Sequence, residues 1–172
     1  MKTIEAVPLH PEAFAPFGDV VSAGLRSGSS ANQGTAVRFD WSAALMNSRS
    51  NAKANLAVFR SAPQPLPFTV KLLERHPHST QAFLPMIAQR FLVIVAPTAS
   101  NGEPDVAQLR AFVCGPGQGI NYKPACWHHP IIALDVPAEF AMLAWEDGTA
   151  ADCEERPLAE QVQIVGPGPL NL

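Results

Sequence analysis

A chain of 172 residues, 47% apolar and only 16% charged, fits one domain and can bury a core without disulfide or metal staples. Its net charge of -3 comes with lysines and arginines scattered singly, which argues against a footprint for nucleic acid or another polyanion. No apolar run approaches membrane-spanning length, the first residues lack a signal-peptide pattern, and three cysteines without CxxC pairing speak for a reducing compartment. The expectation is a cytoplasmic protein that acts on a small molecule. So little charge also leaves apolar surface to cover, which predicts a homo-oligomer.

Seventeen prolines and eleven glycines punctuate the chain at short intervals, a spacing that suits many short strands and disfavours long helices. Residues 27–34, rich in Gly and Ser, read as a loop long enough to act as a flexible cover. A short helical piece is expected over residues 41–46 after Asp40, and residues 55–60 form the first clear strand. Strands follow over 68–74, 81–86 and 91–96, and the last is apolar throughout, which implies two buried faces and a central place. Residues 105–109 offer one or two helical turns after Pro104, and further strands are read over 109–113, 120–123, 129–134 and 140–145. This count and spacing predict an all-β fold, a β-barrel or double-sheet jelly roll with a few short helices. Residues 1–165 are read as a single domain, with residues 166–172 as a flexible, extended C-terminal tail.

Two short segments hold the residues with chemistry. Glu74 and His76 are two apart on a strand, so they share a face, and Gln81 joins them from the next strand after the turn at 77–79. His128 and His129 alternate along a later strand, so one faces inwards, and His128 is the choice. A lone histidine in a β-rich interior is more often hydrogen-bonded structure than ligand. The coincidence of Glu74, His76, Gln81 and His128 in one β topology favours a site for a borderline divalent ion, since imidazole and carboxylate donors suit Ni, Mn, Fe or Zn. Tyr122 and Lys123 precede the histidines as candidate proton donors, of which alternation lets one face the cavity. Arg38, close behind the 27–34 loop, and Arg60, at a strand end, are candidate forks for a substrate carboxylate. Asp152 is a weaker candidate, because loop carboxylates are usually solvated. Cys126 is read as packing, and His10 and His78 as surface residues.

Glu74-x-His76 followed by Gln81 resembles the first cupin motif, in which His-x-His and a later Glu bind metal inside a barrel, with Ala88 where that pattern has Gly. His128 resembles the histidine of the second cupin motif. Taken together, Leu73-Glu74-Arg75-His76-Pro77, Thr80-Gln81-Ala82-Phe83-Leu84-Pro85-Met86, Leu109-Arg110-Ala111-Phe112, Gly119-Ile120-Asn121-Tyr122 and Trp127-His128-His129-Pro130 resemble the ureidoglycolate lyase family over about residues 4–157. The resemblance implies a cupin-like catalytic domain, generally dimeric, that splits (S)-ureidoglycolate into glyoxylate and urea in allantoin and purine breakdown, with nickel or another divalent metal in some members. The reaction needs a carboxylate anchor, a base at the hydroxyl and an acid at the leaving nitrogen. His128 or Glu74 fits the base, Tyr122 or Lys123 the acid, and Arg38, Arg60 and Gln81 the substrate contacts. Rival expectations are a cupin isomerase or hydrolase acting on another small hydroxy acid, and a non-catalytic cupin that binds such an acid.

Overall fold

The computed structural model describes residues 2–166, so the expected tail lies, but for Gly166, outside the described residues. The described residues form fifteen strands: β1 (Lys2–Glu5), β2 (Val7–Pro8), β3 (Gly18–Val21), β4 (Ser29–Ala31), β5 (Ala36–Arg38), β6 (Lys53–Ser61), β7 (Phe68–Arg75), β8 (Gln81–Ile87), β9 (Phe91–Ala96), β10 (Arg110–Cys114), β11 (Gly119–Tyr122), β12 (Trp127–His128), β13 (Ile132–Ala133), β14 (Ala138–Glu146) and β15 (Glu154–Val165). Helix is confined to α1 (Pro11–Phe14) and two 3-10 turns at Asn32–Gly34 and Val106–Gln108. Strands β1-β15-β7-β12-β9-β10-β2 make the larger sheet, with β13 also paired to β9, while β3-β11-β8-β14-β6 make a second sheet and β4-β5 a hairpin. The expected all-β, two-sheet barrel is the fold observed.

Strand β9 explains how the larger sheet is held. Its six residues are all buried, and alternation sends Phe91, Val93 and Val95 into the interior between the sheets and Leu92, Ile94 and Ala96 into a second cluster on the other side. The interior cluster is rich in aromatic rings: Phe14, Phe83, Phe91, Phe112, Tyr122 and Phe140 meet mostly edge to face or tilted, with centroids 5.1–6.4 Å apart. Gly18 lets β3 close against β11, because a Cβ there would lie 2.0 Å from the Asn121 carbonyl oxygen. That contact fixes the strand that carries Tyr122.

Three expectations about elements need correction. Residues 41–46 are not helical; they run as turns and bends across the outer face of the second sheet, where Trp41 and Leu45 line a cavity with Leu56, Leu84 and Leu143. The 27–34 segment is not an open cover, because Ser29–Ala31 pairs with Ala36–Arg38 as a hairpin. The strand expected over 129–134 is split, since His129 turns its N–H to the Ile94 carbonyl and pairing with β9 resumes only at Ile132. The short turn at 106–108 falls where it was expected, with the Asp105 side chain accepting from the Ala107 N–H as its cap.

Candidate active site

Register brings the site together at the seam between the two sheets. His128 on β12 lies directly opposite Glu74 on β7, so both side chains point to one side of the larger sheet, and His76 follows just past the end of β7. Across the interior, Gln81 opens β8 and pairs with Tyr122 of β11 and Ala144 of β14. Glu74, His76 and His128 each present a ligand atom within 4.8 Å of the others. Glu74 Oε1 lies 3.4 Å from His128 Nε2 and 3.9 Å from His76 Nε2, and Gln81 Oε1 lies 3.1 Å from His128 Nε2. His128 is fully buried, and Glu74 and His76 keep only 17% and 11% of their side-chain surface exposed.

The hydrogen bonds on the far side of each imidazole decide what faces the centre. A carbonyl oxygen can only accept, so His128 Nδ1–H donates to the Cys126 carbonyl at 2.9 Å and His76 Nδ1–H donates to the Asp152 carbonyl at 2.9 Å. In the neutral rings this leaves both Nε2 atoms as lone pairs, and His76 Nε2 is buried without a hydrogen-bond partner. Two imidazole lone pairs, a carboxylate oxygen and an amide oxygen therefore converge with no donor among them. Such an arrangement suits a metal ion at its centre. The donor set suits a borderline divalent ion, and donors about 2.1 Å from one ion sit about 3 to 3.4 Å apart, which the 3.1 and 3.4 Å separations at His128 match and the 3.9 Å between Glu74 and His76 exceeds.

Electrostatics within the cluster couple the carboxylate to the imidazoles. Burial opposes ionisation of Glu74, but the hydrogen bond and charge of His128, backed by His76 and His129, outweigh it and hold the carboxyl below the usual carboxylate range. Burial first, and then the neighbouring His128, push the His76 imidazole below its ordinary value, so it stays neutral near pH 7.

The remaining candidates are placed differently. Tyr122 faces inwards and its ring stacks on His128, with centroids 4.0 Å apart and planes 14° apart. Its hydroxyl is buried without a hydrogen-bond partner, and burial pushes it well above the ordinary tyrosine value, which makes it a poor proton donor. Lys123 is exposed outside the barrel, beside Pro16, Phe17 and Thr98. Arg38 is an exposed hairpin residue paired with Asp40 at 2.7 Å, and Arg60 pairs with Glu139 at 2.7 Å on the outer face, one register step from the inward pair Phe59 and Phe140. Neither arginine is brought to the cluster. Cys126 is buried and its thiol is pushed up to about 12 by burial, in keeping with a packing role. His129 turns away, its ring edge-on to Phe68 at 5.2 Å, and His78 bonds Ser48 Oγ at 3.2 Å.

The expectation of a solvated Asp152 is corrected. Its carboxylate accepts from the Arg49 guanidinium and from the Asp147 and Gly148 N–H groups, while its carbonyl holds His76. Sequence reasoning also missed Cys153, whose Sγ lies 3.9 Å from Glu74 Oε2, and Glu146, which accepts from Asn55 Nδ2 at 2.7 Å. Nothing local marks Arg49 or Cys153; their roles arise from contacts 79 and 103 positions apart in the chain.

The family model for ureidoglycolate lyase matches residues 1–165 of the chain. This chain belongs to the ureidoglycolate lyase family. A protein named ureidoglycolate lyase from Pseudomonas savastanoi pv. phaseolicola is 36% identical over 99% of both chains. Another of that name, from Pseudomonas syringae pv. tomato, is 35% identical over 96% of this chain and 95% of its own. Among solved structures, a dTDP sugar isomerase from Desulfovibrio desulfuricans superposes with a TM-score of 0.51 at 16% identity, covering 84% of this chain and 87% of that one. That likeness supports the fold only. Within the ureidoglycolate lyase family, then, this member carries its acceptor cluster on β7, β8 and β12 of a two-sheet barrel.

Proposed function

We propose that this chain cleaves ureidoglycolate to glyoxylate and urea at the Glu74, His76, Gln81 and His128 cluster. The observation that carries the reading is the convergence of four acceptors at one buried point in a chain of the ureidoglycolate lyase family. Its relatives' names supply the substrate, and the chemistry of that substrate fits the cluster. Ureidoglycolate is a carbinolamide: loss of the hydroxyl proton lets the C–N bond break, and the departing urea nitrogen takes up a proton. His76 and His128 would hold a divalent ion through Nε2, with Glu74 and Gln81 as oxygen donors, and Ni, Mn or Zn each suit that set. Such an ion, when bound, lowers the pKa of a coordinated hydroxyl and offsets carboxylate charge.

The proton can stay on one group throughout. Glu74 turns Oε1 to the two imidazoles, which leaves Oε2 to accept the hydroxyl proton and return it to the nitrogen, and this frees the reaction from a separate acid at Tyr122 or Lys123. For the substrate carboxylate, Lys53 is a better-placed cation than Arg38 or Arg60. It stands opposite Glu146 in the β6–β14 register, on the same side of the sheet as the buried Ala144 and Met142, and Glu146 in turn acts electrostatically on His76 and Cys153.

A homodimer is part of the same proposal. It is supported by an exposed apolar face on the second sheet that includes Leu56, Val58, Leu84 and Met86. A cytoplasmic setting is supported by three free cysteines, two of them buried, and no described helix is long and apolar enough to cross a membrane. The deciding experiment incubates purified protein with ureidoglycolate and follows glyoxylate and urea, with and without added Ni or Mn. Equal amounts of both products above the spontaneous rate are expected. Release no faster than the spontaneous rate under every metal condition sinks the reading.

A further inference from the structure

The segment that follows β14 is tied into a knot that the site touches through one bond, from His76 to the Asp152 carbonyl. Asp152 folds back so that its carboxylate accepts from the Asp147 N–H at 3.0 Å and the Gly148 N–H at 2.7 Å, and its own N–H donates to the Thr149 carbonyl at 3.1 Å. Asp147 in turn accepts from Thr149 Oγ1 at 2.6 Å and from Asn51 Nδ2 at 2.9 Å. Two carboxylates thus stand side by side at one turn, each largely withdrawn from water at 11% and 15% exposure. Left alone they would repel.

Arg49 lies between them. One of its terminal nitrogens is 3.0 Å from Asp147 Oδ2, and the other bonds Asp152 Oδ1 and, at 3.3 Å, the Trp145 carbonyl. A planar fork reaches three acceptors in two directions at once, which the single point of a lysine ammonium does not reproduce. The backbone carrying Arg49 is anchored on its other side: the Ser48 N–H donates to the His78 carbonyl, the Thr80 N–H donates to the Met46 carbonyl, and Asn47 bridges to Ser79. So Arg49 joins the turn between β7 and β8 to the turn after β14. Between those two turns sits His76, whose Nδ1–H donates to the Asp152 carbonyl at 2.9 Å.

We propose that Arg49 is a positioning residue for His76: by clamping Asp147 and Asp152 it fixes the Asp152 carbonyl, which sets the His76 tautomer and aims Nε2 at the cluster. The link to metal binding rests on the functional reading above; the link to the tautomer does not. An imidazole without its carbonyl partner reverts towards the Nε2–H tautomer that free histidine favours in water, and an Nε2 that carries a proton cannot ligate a metal. His128 is the internal control, because its Nδ1–H donates to the Cys126 carbonyl, outside the knot.

The test uses the full chain labelled with 15N-histidine, kept in EDTA, and reads each ring's tautomer from long-range 1H–15N correlations. In wild type both His76 and His128 are expected as Nδ1–H. In Arg49→Gln, His76 is expected to shift to a mixture or to Nε2–H while His128 keeps its tautomer, and affinity for Ni or Mn falls about 10-fold. If Arg49→Gln does not fold, Asp152→Asn, which keeps an acceptor oxygen for one of the two N–H groups and loses the charge facing Arg49, is judged by the same two readings. A folded variant in which His76 remains wholly Nδ1–H overturns the proposal. Wild-type protein with the expected tautomers and metal uptake but no glyoxylate release would remove the functional reading and leave the role of Arg49 intact.

Discussion

Each of the two histidines is held by a backbone carbonyl on one nitrogen and faces the cluster with the other, so a substitution separates holding from facing. His76→Ala removes a lone pair whose own hydrogen bond lies on a half-buried loop, and it should lower divalent-metal affinity and turnover together, each by about 10- to 100-fold or more. His128→Ala should do the same and also lower the melting temperature of the metal-free protein, because it empties a fully buried site stacked against Tyr122. Metal content by mass spectrometry, initial rates and thermal melts in EDTA check both variants. Retained metal in either would assign that histidine to structure. Period-2 alternation groups Glu74 with His76 in the sequence, and the structure brings the two together with Gln81 and His128 although His76 lies just past the end of β7. Arg38 and Arg60 were reachable only as isolated arginines, and nothing in a linear pattern says that each has a carboxylate beside it on the outside of the barrel.

At the scale of the element, the clearest lesson is β6, an edge strand whose register with β14 decides which side of the sheet each of its residues takes. Lys53 and Asn55 fall on the interior side, and Leu56 and Val58 on the exterior. Lys53→Met should therefore raise KM for ureidoglycolate about 10-fold, the loss of one charge-assisted hydrogen bond, with metal content unaltered. Steady-state kinetics decide it, and an unchanged KM would leave the carboxylate to the metal alone. The turn after β14 carries a second expectation. The Thr149 hydroxyl and N–H, with help from Arg49 and Asn51 against the cost of burial, hold the Asp147 carboxyl down to about 2. A carboxylate depressed in the folded state contributes stability that is full above its ordinary value near 4 and is lost as pH falls towards 2. Thermal melts between pH 5 and pH 2 should show Asp147→Asn with a shallower acid dependence than wild type; parallel curves would sink the idea. Sequence patterning found the central strands, where composition is dominated by apolar β-formers. It missed β15, a twelve-residue strand carrying Pro157 and four charged residues, because a long strand with a bulge shows neither clean alternation nor an apolar run.

For the whole molecule, the outer face of the second sheet is the feature that a single chain leaves unexplained. Cross-strand register sets Leu56, Leu143 and Ala82 in one row and Val58, Ala141 and Leu84 in the next, so two apolar rows cross β6, β14 and β8 on the side away from the site. Leu56 is 73% exposed and Val58 61%, and Met86 and Trp41 extend the patch at 57% and 86%. A contiguous apolar face of this kind is characteristic of an interface, and in a two-fold dimer the same patch meets itself, so each substitution counts twice. Burying a leucine is worth about 1.5 to 3 kcal/mol, and Leu56→Glu, counted twice, should therefore weaken association about 10²- to 10⁴-fold. Sedimentation at micromolar concentration should give a dimer for wild type and a monomer for the variant, and the variant's far-UV spectrum should be unchanged because Leu56 contributes little to the core of its own barrel. Metal uptake should survive as well, since no residue of the cluster comes from that face. Wild-type protein that sediments as a monomer would remove the dimer and leave the exposed rows without an occupant of their own kind.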